Sequence, residues 1–143
     1  MTESLPSLEG ATLSGRLFRF PEDLPDSETV LVIGFTHAAR HDVAAWKAAL
    51  KTKAIPYLSL PTAAQDTTPE AMQSVAQAMR NHVPADAWEE VVQIHRGGES
   101  LLRQFSWQAN AFAKLLRVSH DGCVTSRHDE GPFSPEVLAA FLG

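Results

Sequence analysis

The stretch Thr29-Val30-Leu31-Val32-Ile33-Gly34-Phe35 decides the fold. It is apolar without alternation and rich in β-branched residues, which is typical of a strand covered on both faces. Residues 43–51 follow it with Val43, Trp46 and Leu50 spaced along one face of a helix. A buried strand followed by an amphipathic helix predicts an α/β fold with a parallel core and right-handed crossovers.

Outward from this unit, the alternation of strands and helices continues. Periodicity predicts further strands over residues 16–20, 54–60, 90–95, 114–119 and 123–128, and helices over residues 68–83, 99–107 and 134–142. His120-Asp121-Gly122 separates the last two strands, and an Asp-Gly turn predicts a β-hairpin. Residues 1–14 are polar and interrupted by Ser, Gly and Pro, so we expect a flexible lead-in before a single domain over 15–143.

Composition excludes several classes of protein. The chain has 143 residues, with 12 Lys and Arg against 17 Asp and Glu, so its net charge is −5 and the main driving force for binding nucleic acid is absent. Its one cysteine, Cys123, excludes a disulfide framework and a CxxC pair. The first residues carry no signal-peptide pattern, and no apolar run is long enough to span a membrane. We therefore expect a soluble cytoplasmic protein with no membrane partner.

The order of elements resembles the thioredoxin-like superfamily, and more closely its peroxiredoxin-like and thioredoxin-like branches. The likeness spans residues 16–142. Four segments carry it: Phe20-Pro21-Glu22-Asp23-Leu24, the apolar strand with the polar turn after it, and residues 114–122 and 127–136. The resemblance implies a central mixed β-sheet flanked by helices, closed by a C-terminal β-hairpin and helix, with an insertion at about 61–94.

The redox residues that this resemblance would imply are missing. Thioredoxins place CxxC, and peroxiredoxins their reactive thiol, at the start of the helix after the apolar strand, where the helix dipole lowers the thiol pKa. Residues 34–50 contain no cysteine. If Thr36 matches the threonine that lies three residues before the peroxiredoxin thiol, then Ala39 occupies the position of that thiol. Lys114 stands near the position of the peroxiredoxin arginine, and no proline lies in residues 86–130 to match the thioredoxin cis-proline. The resemblance therefore predicts this fold without its redox chemistry.

The turn at residues 36–42 is the candidate binding site. Thr36, His37, Arg40 and His41 surround the start of the predicted helix. The resemblance implies that Lys114, near the position of the peroxiredoxin arginine, lies at the same corner. Free backbone N–H groups with basic side chains favour a small anionic ligand. The alternative is a solvated turn. His37 and His41 could share one helix face, but the pattern lacks a third metal ligand, so we predict no metal site.

Two functions stay open on the sequence. We favour a non-redox domain that binds another protein or a small ligand at the 36–42 turn, without a cofactor, since no nucleotide-binding motif occurs. The alternative is a peroxiredoxin-like or thiol oxidoreductase enzyme that uses Cys123. A homodimer is a third reading. His95, His120 and His128 are expected in exposed loops, and the three tryptophans in core or half-buried positions.

Overall fold

The computed structural model describes residues 3–143, which contain seven strands and four α-helices. The strands are β1 (Leu8–Thr12), β2 (Leu17–Phe20), β3 (Thr29–Gly34), β4 (Tyr57–Pro61), β5 (Val92–Arg96), β6 (Lys114–Val118) and β7 (Val124–His128). The helices are α1 (Arg40–Thr52), α2 (Gln73–Arg80), α3 (Gly98–Gln104) and α4 (Pro135–Leu142). Within this part of the chain, no helix is long and apolar enough to cross a membrane.

The strands form a mixed β-sheet. One part has the order β4-β3-β6-β7, with β3 parallel to β4 and antiparallel to β6. The other part has the order β2-β1-β5 and is antiparallel throughout. Isolated parallel bridges from Ser59 to Val91 and from Thr62 to Ile94 connect β4 to β5. The predicted parallel core with a C-terminal hairpin is confirmed.

Alternating side chains of the central strand divide the core between the two faces of the sheet. Leu31 and Ile33 pack with Leu101, Phe105 and other side chains in the largest apolar cluster. On the opposite face, the remaining β3 side chains pack against α1 and α4 in a second cluster: Val30, Val32, Trp46, Leu50, Leu138 and Phe141. Since both faces of β3 are covered, its unbroken apolar run is explained.

The predicted helices are present with small differences at their ends. The hydroxyl of Ser134 accepts a hydrogen bond from the N–H of Val137, as expected of an N-cap with proline after it. The hydroxyl of Thr68 likewise accepts from the N–H of Ala71, but the first turn there is a 3-10 helix and α2 begins only at Gln73. The segment predicted as an insertion holds α2 and a 3-10 turn at Ala85–Glu90.

The prediction of a loose lead-in over residues 1–14 is wrong for residues 8–12. This segment is β1, which pairs with β2 on one side and with β5 on the other. Its inward positions are Leu8, Gly10 and Thr12, of which one alone is a large apolar residue, so the sequence gives no clear strand pattern. A Cβ on Gly10 would lie 2.3 Å from the carbonyl oxygen of Gln93. The glycine therefore permits close approach of β5.

The prediction of exposed loop histidines also needs correction. His95 lies inside β5 and is 7% exposed, with its Nε2 4.0 Å from a carboxylate oxygen of Glu9. His128 lies in β7, half-buried, with its ring 5.2 Å from that of Trp46. Both histidines therefore belong to strands. Trp46 and Trp107 are buried as predicted, and Trp88 is half-buried.

Candidate functional site

A groove of about 610 Å³ opens between α1 and α2 at the carboxyl ends of β3 and β4. Its walls are the side chains of Val43 and Ala44 from α1, and of Val75, Ala78 and Met79 from α2. Val75 is 51% exposed, which is unusual for a large apolar side chain in this chain. The volume lies in the range of ordinary small-molecule sites, and crevices at the carboxyl ends of parallel strands commonly bind ligands.

The groove exists because the floor of this face of the sheet carries small residues. Two apolar clusters lie on this face, one under α1 and α4 and the other under α2, and they do not merge. Gly34 of β3 and Ser59 of β4 line the gap between them. A Cβ on Gly34 would lie 3.2 Å from the side chain of Val43. A larger apolar residue at Ser59 would fill the space between the clusters, whereas a side chain at Gly34 would press against Val43.

The polar side chains of the groove are predominantly basic. His37, Arg40, Lys47 and His82 line it, and none of its lining residues is an aspartate or a glutamate. Burial lowers the pKa of Lys47 from its ordinary value, and the nearby Glu90 carboxylate opposes this effect. In a chain of net charge −5, a surface of this kind favours an anion.

The structure divides the residues of the predicted site between two cavities. Thr36, His37 and Arg40 line the groove, as expected, whereas exposed His41 is not among its lining residues. Lys114 lines a different cavity of about 500 Å³. Lys114 still lies at the same end of the sheet as the turn, because it pairs with Ile33 at the end of β3. Its Nζ and the hydroxyl of Thr36 bond to the same residue, so the two cavities adjoin at this corner.

Asn110 marks the boundary between these cavities. Its carbonyl oxygen accepts a hydrogen bond of 2.7 Å from the hydroxyl of Thr36, and its side-chain oxygen accepts one of 3.0 Å from Nζ of Lys114. Thr36 is thus fixed by a contact 74 residues further along the chain. The contact holds the turn before α1 against the segment that leads into β6.

Asp42 holds the start of α1 against the C-terminal part of the chain. One of its carboxylate oxygens accepts from the N–H of Ala113 at 2.8 Å, and the other from the N–H of Phe133 at 2.7 Å. A carboxylate in the first turn of a helix also interacts favourably with the helix dipole. Asp42 therefore joins three segments that surround the two cavities.

Cys123 lies far from this region. It is half-buried after the β6–β7 turn, where its N–H donates to the carboxylate of Asp121. Val118 pairs with Thr29 at the beginning of β3, whereas α1 follows the end of β3. At about 3.3 Å per residue, the five residue steps between the two ends of β3 separate the thiol from the helix by roughly 16 Å or more. The thiol therefore receives no help from the α1 dipole.

Sequence reasoning missed the half of the groove that α2 contributes. The apolar side chains of Met72, Val75 and Met79 repeat at helical spacing, a pattern that is typical of a helix face packed on the core. Val75 instead lies open in the groove, with Lys47 facing it from α1 and His82 following α2. No sequence signal shows that α1 and α2, which pack on the same face of the sheet, leave a groove between them. This separation depends on the small residues of the groove floor.

Comparison with known proteins supports the fold alone. No protein-family model matches the chain, and no curated protein matches it in sequence. A thio-disulfide isomerase from Thermus thermophilus superposes with a TM-score of 0.62 at 14% identity, over 99% of this chain and 93% of that one.

Two lipoproteins are similar in the same way. The exposed lipoprotein thioredoxin of Streptococcus pneumoniae has a TM-score of 0.61 at 11% identity, covering 96% of this chain and 98% of its own. A SCO1/SenC family lipoprotein from Bacillus anthracis has a TM-score of 0.59 at 11% identity, covering 97% and 91% respectively. In agreement with the resemblance in its sequence, the chain has a thioredoxin-like fold, and it carries a single cysteine.

Proposed function

We propose that this protein is a non-redox thioredoxin-like domain that binds a small molecule with an apolar body and an anionic group. The apolar body lies between α1 and α2, against Val43, Val75 and Met79. The anionic group lies among the basic side chains of the groove, close to Arg40 and His37. These two residues belong to the turn that the sequence indicates as a binding site.

One observation carries this proposal: the groove combines apolar walls with four basic side chains and has no carboxylate in its lining. A neutral apolar ligand would not need the basic groups, and a highly charged ligand would not need the apolar walls. An apolar body with a carboxylate, sulfonate or phosphate uses both. Burying each methylene contributes about 0.8 kcal/mol, and ionic hydrogen bonds add orientation.

The position of Cys123 argues against the thiol enzyme as the main alternative. A reactive thiol needs a partly exposed position beside a cation or a helix N-terminus. Cys123 instead follows the turn of the hairpin, where Ser119 and Asp121 hydrogen-bond to its backbone, and it lies at no helix N-terminus. For these reasons we place the function in the groove.

Ser59→Val tests the groove by filling its floor. We expect the free energy of unfolding to rise by about 1 kcal/mol, because the added methyl groups join the two apolar clusters. We expect the affinity for anilinonaphthalene sulfonate, a fluorescent apolar anion, to fall by about tenfold. Denaturant unfolding and a fluorescence titration measure the two effects.

Ser59→Ala is the matched control, since it removes the same hydroxyl without filling the groove. We expect it to bind the dye within about twofold of the unchanged protein. A stable Ser59→Val protein that bound the dye as tightly as the unchanged chain would show that the ligand lies elsewhere.

A further inference from the structure

The cavity that contains Lys114 is separate from the groove and has a different chemistry. It measures about 500 Å³, and most of its lining side chains are polar or charged. Lys114 lies at the beginning of β6 and is 1% exposed, and Glu130 lies on the exposed loop after β7. A buried lysine needs partners for its ammonium group, so its hydrogen bonds are informative.

Two charged side chains of the cavity wall, Asp129 and Arg127, already form hydrogen bonds with other residues of the protein. Asp129 accepts from the indole N–H of Trp107 at 2.8 Å and from Nε of Arg127 at 2.7 Å. Arg127 also donates to both carboxylate oxygens of Glu3 and to the carbonyl oxygen of Phe105. This ion pair network therefore forms a fixed wall and leaves little capacity for a ligand.

Lys114 and Glu130 keep unused capacity. An ammonium group has three N–H donors, and Lys114 uses one of them on the side-chain oxygen of Asn110. Within residues 3–143, the carboxylate of Glu130 makes no hydrogen bond and no ion pair within 4.0 Å, although it lines the same cavity. One cationic and one anionic group thus face the same cavity without touching each other.

We propose that this cavity binds a small zwitterion, of which a free α-amino acid is the simplest example. Its carboxylate accepts the unused donors of Lys114, and its ammonium group binds Glu130. The side chain of the ligand lies toward the amides of Gln104 and Gln108, which also line the cavity. A ligand with both charges can use both groups, whereas a ligand with one charge can use only one of them.

The test is calorimetric titration of the full chain with each proteinogenic amino acid in turn. For any amino acid that binds, the N-acetyl and methyl ester derivatives are compared, because each lacks one of the two charges. We expect at least one amino acid to bind with a Kd below about 1 mM, and each derivative to bind about tenfold more weakly. No binding by any amino acid up to about 10 mM would overturn the proposal.

Two variants locate the binding. Glu130→Gln changes an exposed side chain and should leave the fold intact, and we expect it to weaken amino acid binding by about tenfold. It should leave the weak binding of the N-acetyl derivative unchanged. Lys114→Met should weaken the amino acid and its N-acetyl derivative alike. Equal binding of the amino acid to Glu130→Gln and to the unchanged protein would overturn the proposal.

The groove provides an independent control. Arg40→Ala should bind the amino acid as the unchanged protein does, because Arg40 lines the groove and not this cavity. Loss of dye binding in the groove variants, with amino acid binding retained, would show two separate sites. Failure of either proposal therefore leaves the other one standing.

Discussion

Replacing Asp42 by alanine is expected to lower the free energy of unfolding by about 2–4 kcal/mol, because two backbone N–H groups lose a charged acceptor. One of them belongs to Ala113, which is fully buried, and the other to Phe133, which is half-buried just before α4. The N–H of Ala113 therefore loses its acceptor at a buried residue. The cost of leaving a buried donor unpaired is therefore the main part of the effect.

Denaturant unfolding followed by circular dichroism measures this change. Asp42→Asn keeps one carbonyl oxygen as an acceptor, so we expect it to lower the free energy of unfolding by less than Asp42→Ala does. Asp26→Ala is the control, since Asp26 is exposed on the loop before β3 and its removal should change stability by less than about 0.5 kcal/mol. If Asp42→Ala were as stable as the control, Asp42 would not hold these segments together.

Val75→Asp is expected to weaken binding of anilinonaphthalene sulfonate by about 100-fold. The new carboxylate would lie in the apolar wall that contacts the body of the ligand, where it would remove apolar contact and repel the anionic group across the groove. At a separation of about 6 Å and an effective dielectric constant near 20, repulsion of two unit charges costs about 3 kcal/mol. Folding should not suffer, because Val75 is already 51% exposed.

Leu17→Asp is the matched control for this variant. Leu17 is 53% exposed and lies on β2, outside the groove lining, so the same residue is introduced at a comparably exposed apolar site. We expect Leu17→Asp to bind the dye within about twofold of the unchanged chain. Equal weakening by both variants would mean that the dye responds to net charge and not to the groove.

Most of the fold could be predicted from the sequence where side chains repeat with a clear period. The apolar run of β3, the stripe of Val43, Trp46 and Leu50 in α1, and the Asp-Gly turn of the hairpin each indicate one structure. β1 could not be predicted, because Gly10 and Thr12 occupy positions where an apolar pattern would show. At Gly10 the small residue is required by the close approach of β5, which is a tertiary contact.

The candidate site was predictable in part for a similar reason. The turn with Thr36, His37 and Arg40 follows β3 directly, so chain order alone places it at the end of the sheet. Whether Lys47 and the α2 side chains line a groove depends on the distance between α1 and α2, and no sequence pattern indicates that distance. Lys114 lies at this end of the sheet because β6 pairs with β3 in this register. That its ammonium group bonds to Asn110 and lines a second cavity is a tertiary detail that no sequence pattern indicates.

The most direct measurement compares two dyes that share an aromatic body, anilinonaphthalene sulfonate and phenylnaphthylamine, of which the second lacks the sulfonate. Each is titrated into the unchanged protein and into Arg40→Ala. We expect the sulfonate to bind the unchanged protein about tenfold more tightly than the neutral dye, and Arg40→Ala to remove most of this preference. Equal affinity of the two dyes for the unchanged protein, or a preference that Arg40→Ala leaves intact, would contradict an anion-binding groove.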